Sequence, residues 1–382
     1  MTAPGGLRPQ RRTRRGLLML PAAFALLSGL DAALMLLGLP SPVTARRLPE
    51  VHGALLVLGF AGTLVALERA VALRSRWAYL SPALLGAGAV LLVTPLPKRA
   101  GQLLFVGGTA VLLALYARFW RRQRSAALLT QAAGAVAALG AALLWLGGMD
   151  IPLLLPWFAG FLVLTIAGER LELSRVTVVS PRAEHVFLGC AGALLAGAAT
   201  TLLWPAAGSL LLGAAVLALV GWLAEHDVAR RLLRSSGQSR FTAACLLAGY
   251  AWLALAGVLW LVIGPITGGR YYDALVHAVF LGFVMSMIMA HAPVILPAVL
   301  RRPLPYHPLL ALPAWLLHTS LALRVLIGDL RDIEWAWRLG GALNIAAVLW
   351  FVIAAASLSA AASRRPSGGT AAGRAVRKAP AP

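Results

Sequence analysis

The sequence predicts an all-α polytopic membrane bundle of about 12 transmembrane helices, with both termini cytoplasmic. Three observations point there. Of 382 residues, 60% are hydrophobic and only 12% are charged, where soluble chains carry roughly 25% charged residues. The apolar residues fall in blocks of about 20, the number that crosses a hydrocarbon layer of about 30 Å. The basic residues stand at the ends of those blocks, as in the loops of membrane proteins.

The elements follow in order. Residues 1–15 form a basic tail. Its "RPQRRTRRGLLML" is similar to a twin-arginine signal, but eleven further blocks follow and no small-residue cleavage site stands near Leu39, so it is taken as the tail before a first span. The transmembrane domain then runs over 16–358, with spans at about 16–39, 49–73, 77–95, 101–119, 126–147, 151–168, 184–203, 206–224, 241–264, 272–299, 307–327 and 335–358. The short "WPAAG" between the seventh and eighth blocks reads as a tight turn. Residues 359–382 are rich in Gly, Ala, Pro and Arg and are predicted to be a disordered basic cytoplasmic tail.

Orientation follows from charge. With the N-terminus inside, 26 Lys and Arg residues fall on cytoplasmic segments and 6 on external loops. That bias places both termini inside and calls for an even number of spans. It also accounts for the net charge of +21 without nucleic acid, because no basic face or domain gathers. The expected location is the cell inner membrane, with the lipid bilayer as the surrounding partner. Cys190 and Cys245 sit alone in apolar blocks, which excludes a disulfide framework, a C-x-x-C-H haem attachment and an iron–sulfur motif. There is no P-loop and no soluble domain, which argues against an ATP-driven pump.

The histidines carry the functional signal. His52 opens span 2 and His277 lies five residues into span 10, both from the external side. Two helices offering one imidazole each at matched depth can grip a haem iron from both sides, and histidine also suits copper. Gly59 and Thr63 lie under His52 in a small-residue stripe that leaves room for a flat macrocycle; close helix packing explains the same stripe. Asp273 stands at i−4 from His277, where its carboxylate would fix the tautomer of a metal-bound imidazole or cap the helix. His291 lies fourteen residues beyond His277, about 21 Å deeper and within about 40° of the same face. His291, His318 and His185 are candidates for a second metal site or a proton path. His226 and His307 read as solvated loop residues.

Four more polar groups are candidates for a proton pathway: Asp31 in mid-span 1, Glu68 at the end of span 2, and Glu169 with Arg170 at the end of span 6. Asp31 should face the bundle and pair with Arg324 or a histidine. The two Glu-Arg dipeptides form either a structural ion pair or a point of proton exchange.

The early histidine of "VHGALLVLGF" and the run "LVHAVFLGFVMSMIMAHAP" resemble the NnrS family, which is related to subunit I of the haem-copper oxidases. That resemblance implies a membrane protein with haem and copper, linked to nitric oxide metabolism, with His52 and His277 at the family's histidine positions. Terminal oxidases carry a His-His pair in span 7 and further histidines in spans 6 and 10. Span 7 here has His185 alone and span 6 has none, so a binuclear oxygen-reducing centre is not expected.

Two further functions stay open beside a haem- or copper-binding protein of electron transfer. One is a proton-coupled transporter without cofactor, which Pro293 and Pro297 would favour by breaking span 10. The other is a structural or assembly factor. Whether the chain is an enzyme stays open; if it is, it is a membrane oxidoreductase. Any electron donor would be a separate quinone or cytochrome, since no cytochrome domain is present.

Overall fold

The computed structural model describes residues 10–174 and 179–364. Helices and turns make up those residues, with no strand among them. Hydrocarbon offers the backbone no water, so a chain this apolar satisfies its amides within helices. Eleven helices are long and apolar enough to cross a membrane, the pattern of a multi-pass membrane protein. They are α1 (Gln10–Leu36, apolar from Leu17), α2 (Leu48–Leu73), α4 (Lys98–Trp120), α5 (Ala126–Leu146), α6 (Ile151–Ser174), α7 (Pro181–Thr200), α8 (Pro205–His226), α9 (Gly237–Ile263), α10 (Gly269–Val299), α11 (Pro308–Asp329) and α12 (Glu334–Arg364). The helix in third place, α3 (Trp77–Val93), is apolar but shorter. Each expected span lies on one of these helices. The expected tails lie mostly outside the described residues, although α12 extends to Arg364, past the expected boundary at 359.

Consecutive helices pack as antiparallel neighbours, most extensively α5 on α6 and α3 on α4. Small residues permit the approach. A Cβ on Gly134 of α5 would lie 2.8 Å from Phe161 O of α6, closer than any side chain tolerates, so glycine sets that interaxial distance. Ser125 and Ser180 begin α5 and α7 as N-caps, accepting from Leu128 N and Ala183 N at 3.2 Å each.

α10 is the central element. It packs against α1, α2, α6, α9 and α11, and its residues contribute to both apolar cores of the bundle. Pro293 and Pro297 do not break it, contrary to the expectation; it stays helical to the left-handed Arg301. Neighbouring helices absorb prolines in such settings, and Thr242 of α9 donates to Ala290 O at 3.1 Å beside them.

Three stretches widen into π-helix: Leu55–Gly62 in α2, Ala278–Met285 in α10 and Leu323–Asp329 in α11. The one in α10 corrects the geometry expected for its histidines. A π-turn advances less than about 100° per residue, so His277 and His291 do not share a face. They serve the two ends of the bundle.

Candidate functional site

His52 and His277 line one cavity. Its wider part, about 840 Å³, opens at one end of the bundle among α1, α2, α6, α10, α11 and α12. A smaller chamber of about 80 Å³ continues inward, walled by apolar side chains such as Leu56, Leu155, Phe158 and Phe280. His52, His277, Tyr272 and Arg324 border both parts. The three helices that bring His52, His277 and Arg324 to this border are the three that carry π-helical turns, and such turns recur at functional sites.

The two imidazoles are held alike. Nδ1 of His52 lies 2.8 Å from Gly29 O of α1, and Nδ1 of His277 lies 2.8 Å from Asp273 O one turn earlier. A carbonyl only accepts, so in each ring Nδ1 carries the proton and donates it. In the neutral ring each Nε2 keeps its lone pair, and among the described residues neither Nε2 has a hydrogen-bond partner. This is the arrangement by which an outer hydrogen bond fixes the tautomer of a ligating histidine.

Asp273 does more than was expected of it. Its backbone carbonyl receives His277, and its Oδ2 lies 3.3 Å from the same Nδ1. Its carboxylate is taken chiefly by Arg324, with Nε to Oδ2 and Nη2 to Oδ1 both at 2.8 Å, and by Trp337 Nε1 at 3.1 Å. Arg324 therefore does not pair with Asp31, as the sequence suggested. Asp31 Oδ1 accepts from Val43 N at 3.4 Å, which fastens the chain after α1. Asp329, buried at the end of α11, also borders the wide cavity.

Gly59 lies away from the cavity. A Cβ there would meet Ala89 Cβ at 2.8 Å and Ala25 Cβ at 3.1 Å, so this glycine brings α2 close to α1 and α3 and the packing explanation holds for it.

The three other candidate metal ligands do not come together. His318 accepts from Trp252 Nε1 at 3.1 Å through Nδ1, and its Nε2 meets Ser286 Oγ at 3.1 Å. Ser286 Oγ in turn donates to Cys245 O at 2.7 Å. His291 sits at the other end of α10, with Nδ1 on Met287 O at 2.8 Å and Nε2 on Arg170 Nη1 at 3.1 Å. Both nitrogens of both rings are occupied. His185 is exposed on α7. Among the described residues, no group of three or more His, Cys, Asp or Glu side chains could hold a metal ion.

The two Glu-Arg dipeptides also separate. Arg69 Nη2 binds Glu68 at 2.7 Å and Glu169 at 3.1 Å, joining α2 to α6. Arg170 turns away to Asp227, with Nε to Oδ2 at 2.7 Å and Nη2 to Oδ1 at 2.8 Å. Tyr250 adds a bond to Asp227 Oδ2 at 2.6 Å, and Ala229 N one to Oδ1 at 2.9 Å. Burial pushes the Asp227 carboxyl up, but Arg170 and these other donors outweigh it and hold the group below its usual range. Sequence reasoning missed Asp227 and Tyr250. An acid just past a span end looks solvated until the packing is known.

A family model described as a domain of unknown function, DUF8744, matches residues 15–360. No curated protein matches the chain.

Proposed function

We propose that this chain, which belongs to the DUF8744 family and takes no activity from that description, is a multi-pass protein of the cell inner membrane that holds a haem between His52 and His277. One observation carries this: two imidazoles on different helices border the same cavity, each with Nδ1 fixed by a carbonyl and Nε2 free.

The donor set fits the group. Two imidazole nitrogens are a known axial pair for haem iron. A volume of about 840 Å³ falls within the range of roughly 300–1,000 Å³ for ligand cavities. Charged side chains border that wide part, and the apolar wall belongs to the chamber of about 80 Å³ behind it. Arg270 and Arg324 border the mouth, paired there with Asp332 and Asp273. When bound, a haem with two imidazole ligands would supply one-electron chemistry. The residues' own work is to present Nε2, keep the rings in one tautomer and exclude lipid. The similarity of "LVHAVFLGF" to the NnrS family supports the same reading and a link to nitric oxide. Copper has less support, because His291 and His318 would each have to surrender a hydrogen bond to bind it.

On the charge distribution all twelve helices cross the membrane, α3 as the shortest, and both termini are cytoplasmic. The cavity mouth then faces the external side, and electrons come from a separate quinone or cytochrome. A cofactor-free transporter would have gained support from a break in α10, and the helix is continuous there.

The test is an absorption spectrum of protein purified from a haem-replete host, oxidised and then dithionite-reduced. Sharp reduced α and β bands with a Soret band are expected. A colourless, folded protein would sink the proposal.

A further inference from the structure

At the far end of α10 from His277, four helices close around Arg69. Its Nη2 donates to Glu68 Oε1 at 2.7 Å and Glu169 Oε1 at 3.1 Å, and its Nη1 to Gln131 Oε1 at 3.2 Å. Among the described residues its Nε has no partner, and neither does Gln131 Nε2 nor the Tyr116 hydroxyl. Tyr116 lies within electrostatic reach of Arg69, Glu68 and Glu169. Seven buried side-chain atoms lack partners among the described residues, and three of the seven gather here. Gln131 and Tyr116 are fully enclosed, at 0% and 1% exposure. Buried donors of this kind are normally satisfied by ordered water, which needs two to four polar partners. Three donors and two carboxylates provide them.

The charges do not balance. Two carboxylates share one guanidinium nitrogen, and among the described residues no second cation bonds either of them. Arg170, next along α6, is committed to Asp227. His291 on α10 donates Nδ1–H to Met287 O and accepts from Arg170, so it is neutral. α4 and α5 contribute Tyr116 and Gln131, both uncharged, and Glu172 on α6 adds a further negative charge. Like charges that share a partly buried site do not both ionise freely.

We propose that Glu68 and Glu169 form a proton-binding site that holds one proton between them, with water joining the carboxylates to Tyr116, Gln131 and Arg69 Nε. The proton passes from a hydronium ion at that end of the bundle onto a carboxylate oxygen, giving a neutral carboxyl and water, and returns by the reverse step. The route is open: the Glu68 and Glu169 side chains keep 26% and 24% of their surface exposed, while Arg69 behind them keeps 13%. The site stands apart from the His52–His277 cavity and does not depend on a haem.

Infrared spectra of the purified full-length protein in H2O and D2O, near neutral pH, provide the test. Wild type should show a protonated-carboxyl C=O band that moves down in D2O. Glu68→Gln and Glu169→Gln should each abolish it, because the one carboxylate left with Arg69 ionises. Glu172→Gln should keep it, and Tyr116→Phe should keep it at a shifted frequency. No carboxyl band in the difference between wild type and either glutamine variant would overturn the proposal. Where the glutamine variants fail to fold, wild type labelled with 13C-glutamate decides: a protonated-carboxyl band must shift with the label, and the lack of any label-sensitive band refutes the site.

Discussion

Arg324 meets Asp273 through two parallel hydrogen bonds of 2.8 Å, which tie α11 to α10 one turn before His277. The carbonyl of the same Asp273 receives His277 Nδ1, so the ion pair steadies the residue that aims the imidazole. Arg324 is 7% exposed and Asp273 21%. Removing one partner of a buried pair costs about 3–5 kcal/mol, and the partial exposure of Asp273 puts Arg324→Gln at the lower end. A lowered Tm in detergent is expected. Arg324→Lys should not rescue it, because an ammonium cannot reproduce the two-pronged contact. A lysine variant as stable as wild type would show that only the charge matters.

His52→Ala and His277→Ala should each remove the reduced α and β bands, since low-spin haem needs both axial nitrogens. His226→Ala should leave them intact. That ring stacks on Trp222 at 4.5 Å and bonds its carbonyl, far along the chain from the cavity helices. Normal elution and Tm in the colourless variants would separate ligand loss from misfolding. Bands that survive in either cavity variant would place the haem elsewhere.

Hydropathy made the helices legible because block length, loop charge and helical rise are local quantities. They also fixed the depth of His52 and His277, which is why a pair drawn from different spans lines one cavity. The wide turns at 278–285 were not legible, and with them the divergence of His277 from His291. Partner choice was hidden for the same reason. Arg324 could reach several acids by depth alone, and only the lateral order of helices selects Asp273 over Asp31. Gly59 shows the converse: a small-residue stripe has one sequence pattern whether it faces a ligand or another helix.

His318 supplies a control for metal binding. Trp252, His318, Ser286 and the Cys245 carbonyl form one hydrogen-bonded chain across α9, α10 and α11. His318→Phe leaves a half-buried indole N–H and the buried Ser286 hydroxyl each one partner short, at up to about 1–3 kcal/mol for each group left unsatisfied. Tm should fall while the haem spectrum and the metal content per protein stay unchanged. A loss of copper in this variant would restore His318 as a ligand.

Asp227 sets an acid limit on stability. Burial alone would raise its carboxyl, but Arg170, Tyr250 and Ala229 N hold it below the usual value, and the unfolded chain returns it to about 3.9. A group with a lower value in the folded state contributes stability above its unfolded value, and that contribution fades as pH falls through the folded value. Wild-type Tm should therefore hold from neutral pH down to about 4 and then decline. Asp227→Asn keeps the shape but strands the Arg170 guanidinium, which is 5% exposed, at a cost of about 3–5 kcal/mol. The variant should start lower and approach wild type as the pH drops, because acid removes from wild type what the mutation has already removed. Parallel Tm curves from neutral to strongly acidic pH would show that the Asp227 charge contributes nothing to the fold.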